Sequence, residues 1–161
     1  MKTLITTLIA VLMTIVSNAQ EPLHISNFNM LNNTSWEGQL TYKDYQSGNQ
    51  RSVDTKMQIE IKGDRLITNI QYTYEPKKNN SSSVKLKKNG TYFGNERIIS
   101  NTLDNGIRTF ITTYKGRDNG KKATMYITHQ FSQHAYKVTK EVQYDHSNER
   151  FIRNTYQYLK L

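Results

Sequence analysis

The sequence predicts an all-β protein, an antiparallel up-and-down meander closed into a barrel of 8–10 strands. Turn signals recur every eight to twelve residues ("QSGNQ", "KGD", "PKKNNSSS", "KNG", "DNG", "RDNG", "DHSNE"), which is the spacing of consecutive short strands. Asn-Gly pairs at 89–90, 105–106 and 119–120 mark tight hairpins, because a type I′ turn needs positive φ at both central residues. The segments between these turns alternate apolar and polar residues, so each strand presents one oily and one wet face.

Residues 1–19 contain a lysine, the apolar run "LITTLIAVLMTIV" and "SNA" before Gln20, the order of a secretory signal peptide. Thirteen residues reach only about 20 Å as a helix, short of a hydrocarbon core about 30 Å thick. A cleaved leader is therefore expected rather than an anchor. With no cysteine in the chain, disulfides and the lipidated cysteine of a lipoprotein are both excluded. The mature protein is expected to be secreted or periplasmic and not membrane-spanning, with a core that must hold it together unaided. Residues 20–34 form a lead-in with room for a short helix, and 35–161 suit a single barrel domain.

The 22 Lys and Arg outnumber the 13 Asp and Glu, giving a net charge of +9, or +8 once Lys2 leaves with the leader. This balance favours anionic partners. Export makes nucleic acid an unexpected target and leaves an anionic envelope component as a candidate, while the plainer reading is that lysines keep the outer faces of strands wet.

Strands are expected at 36–45, 53–62, 65–75, 83–88, 92–103, 107–115, 121–131, 134–145 and 150–159, with Gly94 bulging or breaking the fifth. Residues paired across a hairpin point to the same side. A turn at Gly63 and Asp64 pairs Ile61 with Leu66, Ile59 with Thr68, Met57 with Ile70, Thr55 with Tyr72 and Val53 with Tyr74, and sends Lys56, Gln58, Glu60 and Lys62 outward. An even-length loop after Asp44 pairs it with Val53 and places Trp36, Leu40 and Tyr42 on the same inner side. A turn at Ser132 and Gln133 pairs Phe131 with His134, His129 with Tyr136, Ile127 with Val138, Met125 with Lys140 and Ala123 with Val142. Through Asn119 and Gly120, Phe110, Thr112 and Tyr114 join that side, with Ile107 and Ile111 outside. The register near Ile98 and Ile99 is unsettled. In the last strand either Phe151, Arg153 and Thr155 or Ile152, Asn154, Tyr156 and Tyr158 face inward. Sequential hairpins favour closure over a sandwich, and Lys137, Lys140 and Glu141 on both sides of one strand argue against lipid on its outer face.

The lead-in "EPLHISNFNMLNNT", the Trp-x-Gly of "SWEGQLTY", the hairpin meander and the arginine of "ERFIRNTYQYLKL" together resemble the calycin group of lipocalins, fatty-acid-binding proteins and nitrobindin-like barrels. The "W-x-G-x-L-x-Y-x-D-Y" start and "R-N-x-Y" end also resemble small exported bacterial proteins. The lipocalin-like resemblance implies that Trp36 sits at the closed end of the barrel, with Arg153 or Arg150 stacked over it.

Asp44, the last inward residue before its loop, then marks the open end, where it either serves the turn or lines an entrance. His129 and His134 share a face, but no third ligand completes a metal site and none is expected. Lys140 faces inward, so it must be neutral, paired, at a wet opening or waiting for an anion. With His129, Tyr72, Tyr136, Tyr42 and Asp44 it would form the polar part of a site for an apolar molecule with an acidic head. No nucleophile elbow, zinc motif or phosphate loop is present. The expectation is thus a non-enzymatic, cofactor-free barrel that binds a small apolar or amphipathic molecule. A filled barrel acting as an envelope interaction module is the alternative, and a small lyase or isomerase at the barrel mouth is the third reading.

Overall fold

The first β-strand leaves its loop at Lys43, and nine more follow in chain order: β1 (Thr34–Lys43), β2 (Gln50–Lys62), β3 (Arg65–Tyr72), β4 (Asn80–Lys87), β5 (Tyr92–Phe93), β6 (Glu96–Asp104), β7 (Ile107–Asp118), β8 (Lys121–Phe131), β9 (Ala135–Tyr144) and β10 (Phe151–Lys160). These strands come from a computed structural model that describes residues 21–161. The expected leader lies outside the described residues. Each strand bonds to its chain neighbours and β10 returns to β1, so the meander is a closed antiparallel barrel. Closure removes the two sheet edges that an open meander would expose.

The hairpin logic holds where the turn is two residues long. At Gly63 and Asp64 the pairs Ile61–Leu66, Ile59–Thr68, Met57–Ile70 and Thr55–Tyr72 all form. The fifth expected pair does not: β3 ends at Tyr72, Val53 opposes Leu40, and Tyr74 is exposed in the following loop. Asn105–Gly106 and Asn119–Gly120 are two-residue turns with positive φ at both positions, as type I′ geometry requires. Asn89–Gly90 instead belongs to a longer loop before β5, held to the lead-in by the Leu23 amide, which donates to the Gly90 carbonyl at 3.1 Å.

Two registers slip by an even number of residues. Asp44 through Asn49 form the first loop, with Lys43 opposite Gln50, so Asp44 does not pair with Val53. The β8–β9 connection is Ser132–His134, and Phe131 meets Tyr136, His129 meets Val138, Ile127 meets Lys140, Met125 meets Val142 and Ala123 meets Tyr144. Because side chains repeat with period two, a slip of four residues in the first case and two in the second changes partners and leaves every face where it was.

Two bulges account for the strands that alternation alone left open. Between β6 and β7 the register shifts between Ile98 and Ser100, so Ile98 is buried while Ile99 is 40% exposed. Between β9 and β10 it shifts between Ile152 and Asn154. An extra residue reverses the alternation, so Phe151 packs inward on Val142, and past Arg153 it is Asn154, Tyr156 and Tyr158 that face in. Gly94, with φ of 64°, breaks the expected fifth strand into β5 and β6. With β5 only two residues long, the upper stretches of β4 and β7 have no strand bonded between them among the described residues.

A 3-10 helix, Ile25–Leu31, closes the end where β1 begins. Phe28 and Leu31 are fully buried there, and Phe28 lies against Phe93, Phe110 and Phe131 at 5.4–6.0 Å between ring centroids. Trp36 is also fully buried at this end and donates from Nε1 to Thr34 Oγ1 at 2.8 Å. Two residues on, Gly38 runs so close to β10 that a β-carbon would lie 1.8 Å from the Gln157 carbonyl oxygen. The Trp-x-Gly signature is therefore a seam where one strand can cross its neighbour only without a side chain.

Candidate functional site

Above the aromatic plug the inward faces leave a cavity of about 170 Å³, lined by side chains of β2, β3, β4, β5, β8, β9 and β10. Its apolar walls include Met57, Leu66, Ile70, Val84 and Phe93, and its polar groups include His129, Tyr136, Tyr156 and Tyr158. None of the lining residues is an acid, lysine or arginine.

His129 is held from several sides. Its ring stacks on Phe110, centroids 4.4 Å apart and planes within 4°, and its Nδ1 shares a 3.0 Å hydrogen bond with the Tyr136 hydroxyl. Burial pushes its pKa down to about 3, so the imidazole is neutral at any ordinary pH. Burial, then the neighbouring Tyr158, raises Tyr136 well above the usual phenol range. Tyr158 is pushed up to about 12, by burial first, with its bond from Thr55 opposing and Tyr72 adding. Tyr156 is raised too, by burial and then by its bond to Tyr72. The cavity is thus a neutral room with hydroxyls on its walls.

Tyr72 and Tyr156 share a hydrogen bond of 2.8 Å between their hydroxyls. Tyr156 lines the cavity, whereas Tyr72 lines a second hollow of about 340 Å³ at the opposite end from the plug, with Leu40, Tyr42, Val53, Glu75, Lys78 and Arg153. This tyrosine pair separates an outer mouth from an inner chamber.

The residues singled out in the sequence therefore fall into separate places. His129 and Tyr136 line the inner cavity, while Tyr72 and Tyr42 line the mouth. Lys140 faces inward but is not part of the cavity lining. Its ammonium lies 5.9 Å from the centre of the Tyr114 ring and acts on Glu96, a partly buried carboxylate that accepts from Thr112 Oγ1. Burial raises the Glu96 pKa, and Thr112 and then Lys140 pull it back. The inward lysine is near enough to an inward acid to lower its pKa without forming an ion pair with it, and the acid had no signal in the sequence beyond its place beside the broken strand.

Asp44 serves its own loop. Its carboxylate accepts from the Gln46 amide, the Ser47 hydroxyl and Arg51 Nε at 2.7–3.1 Å, and these bonds, Ser47 first, hold its pKa below the usual range. It lies at the mouth end without lining either hollow. His134 is exposed in the β8–β9 turn, apart from His129.

The stacked pair of Trp36 and Arg153 does not form. Trp36 sits opposite Lys160 on β10, seven positions from Arg153 along that strand, roughly 20 Å at the rise of a strand. Arg153 projects instead from the β10 bulge at the mouth end, where its guanidinium lies 4.3 Å over the Tyr45 ring, pairs with Asp118 at 3.3 Å and donates to the Lys43 carbonyl. Asp118, nearly buried, also accepts from the hydroxyls of Tyr45 and Tyr144. One carboxylate thereby ties the first loop, the β7–β8 hairpin, β9 and β10 together.

No protein-family model matches this chain, and no curated protein matches it. What the structure defines is a class, a closed ten-strand antiparallel meander barrel with one plugged end and a mostly apolar interior cavity.

Proposed function

We propose that this is an exported, lipocalin-like, non-catalytic carrier whose inner chamber holds one small, largely apolar molecule. The observation that carries this reading is the cavity of about 170 Å³, walled mainly by aliphatic and aromatic side chains with a few hydroxyls and one neutral imidazole. A pocket of this form, apolar with a few convergent polar groups, suits a ligand whose orientation the polar groups fix. The volume is close to that of an engineered 150 Å³ cavity that admits benzene, so the occupant is a single ring or a short chain. Export rests on the leader-like residues 1–19 and kinship with lipocalins on the Trp-x-Gly start and the meander.

An anionic head group finds no cation in the chamber wall. At the mouth Lys78 shares its hollow with Glu75, and Arg153 there is already paired with Asp118. Native mass spectrometry of the protein purified from its source should show a bound molecule of low mass. Small aromatic probes should raise the melting temperature, and Val138→Phe, which fills the chamber from its wall, should abolish that rise. Absence of any bound molecule together with no probe-induced stabilisation would sink the reading.

A further inference from the structure

The ring of strands is closed, but not along its whole height. β5 bonds to β4 only at Phe93–Leu86 and Tyr92–Lys87, and to β6 only at Phe93–Glu96 and Tyr92–Arg97. The β5–β6 hairpin turns back at Gly94 and Asn95, where the Gly94 amide donates to the Lys85 carbonyl at 2.9 Å. Beyond that tip β4 continues through Val84 to Asn80 with β3 alone as its partner, and β7 continues from Tyr114 to Asp118 with β8 alone. Carried past the tip, the registers set Val84 opposite Gly116 and Ser83 opposite Arg117. Among the described residues no strand fills the two positions between them, a span of roughly 14 Å at three interstrand spacings.

Solvent follows this opening inward. On β8 the inward residues run Ala123, Met125, Ile127 and His129 from the mouth toward the plug. Ala123 and Met125 are buried, Ile127 below them is partly exposed, and His129 is buried again. β9 repeats the order: Val142 is fully buried nearer the mouth, Lys140 and Val138 below it are partly exposed, and Tyr136 is buried. Exposure that skips the outer residue and returns at the inner one does not come down the barrel past Met125 and Val142. It comes from the side. Ser82 and Val84, on the free stretch of β4, are partly exposed too and share the chamber wall with Val138. Glu96 and Lys140 belong to the same partly exposed band, and water reaching them there offsets the cost of two inward charges that form no ion pair with each other.

We propose, resting on the reading of the chamber as a ligand site, that its occupant enters and leaves sideways, through the window between β4 and β7 beyond the Gly94–Asn95 tip, and not down from the mouth. The chamber reaches this window directly, because Ser82 and Val84 on the free stretch of β4 and Phe93 at the end of β5 are part of its lining. Toward the mouth it meets the bonded hydroxyls of Tyr72 and Tyr156. The β5–β6 hairpin is the movable sill: β5 is held by two residue pairs on each side, fewer than any other strand of the ring, and local opening is easiest where the fewest bonds must break. Passage there leaves the tyrosine roof and the β1–β10 seam intact.

Fluorobenzene, followed by fluorine NMR exchange between its free and bound signals, tests the route. The chain has no cysteine, so Ser83→Cys with Arg117→Cys can be bridged across the window by para-phenylene bismaleimide. The bridge should slow entry and exit alike by about tenfold or more and leave the dissociation constant within a factor of about two, while the same pair capped with N-ethylmaleimide keeps the parent rates. Removing the roof bond with Tyr72→Phe should leave the bridged protein slow. Unchanged exchange in the bridged protein, or fast exchange regained with Tyr72→Phe, would overturn the side route and leave the chamber a ligand site. A measurement on the parent protein needs neither bridge nor ligand: a neutral gadolinium chelate should relax the methyl signals of Ile127 and Val84 more strongly than those of Met125 and Val142. Equal protection of Ile127 and Met125 would overturn the window itself. Failure of fluorobenzene to bind would remove the chamber reading, and the route with it.

Discussion

Phe110 and His129 face each other across β7 and β8 and stack with their ring centroids 4.4 Å apart and their planes 4° apart. The stack places the imidazole against an aromatic face on one side and the chamber on the other. Nothing charged compensates a proton there, which is why burial drives the pKa from 6.5 to about 3.

A pH dependence of stability follows. Between pH 6.5 and about 3 the unfolded chain binds a proton on this histidine that the folded chain refuses, so stability is complete above pH 6.5 and is lost as pH falls. The contribution can reach about 1.4 kcal/mol per pH unit in that window. In urea titrations at pH 7 and pH 4.5, His129→Leu should lose less stability on acidification than the parent protein. Identical losses would show that the histidine is not the group responsible.

Gly38 is the second test. A β-carbon there meets the Gln157 carbonyl oxygen at 1.8 Å and the Tyr158 backbone at 2.8 Å. Backbone cannot move aside as a flexible side chain can, so Gly38→Ala should open the β1–β10 seam and cost ~3 kcal/mol or more. Gly116→Ala is the control, since its nearest neighbours are side-chain atoms at 3.4 Å and beyond. Denaturation midpoints of the two variants should differ widely.

The carboxylate of Asp118 gathers Tyr45, Tyr144 and Arg153. Asp118→Ala leaves the partly buried guanidinium with the Lys43 carbonyl and the Tyr45 ring, and breaking a buried pair from one side costs about 3–5 kcal/mol. Amide hydrogen exchange should quicken first in residues 44–49, because Tyr45 is the anchor of that loop. Exchange that quickens uniformly over the barrel would argue against a local anchor.

Lys140 and Glu96 are coupled across the interior. Lys140 lowers the Glu96 pKa that burial has raised, so Lys140→Met should raise it further. A group whose folded pKa lies above its unfolded value loses its stabilising effect as pH rises through the folded value. The variant should therefore lose more stability than the parent between pH 4 and 7. Carboxyl carbon NMR of Glu96 would read the shift directly, and an unchanged titration would show that Lys140 does not act on it.

Much of the site was legible because facing depends only on parity. His129, Tyr136 and Lys140 were placed inward from a hairpin whose register was wrong by two residues, and they are inward. Tyr156 and Tyr158 were one of two options, and the choice turned on an extra residue at Arg153. A bulge is a backbone event with no residue signature of its own here, so the alternation could be read on each side of it but not across it. Glu96 was hidden by the break at Gly94 in the same way.

By itself the sequence determined the strand succession, the tight turns and the inner face of most strands, since these follow from local turn chemistry and a side-chain period of two. Only the tertiary structure decided that Arg153 belongs to the mouth and not to Trp36, that Lys140 lies within electrostatic reach of Glu96, and that a chamber of about 170 Å³ remains. Those depend on the stagger with which β10 closes onto β1 and on how completely opposite walls fill the space between them, both set by the whole ring of strands at once.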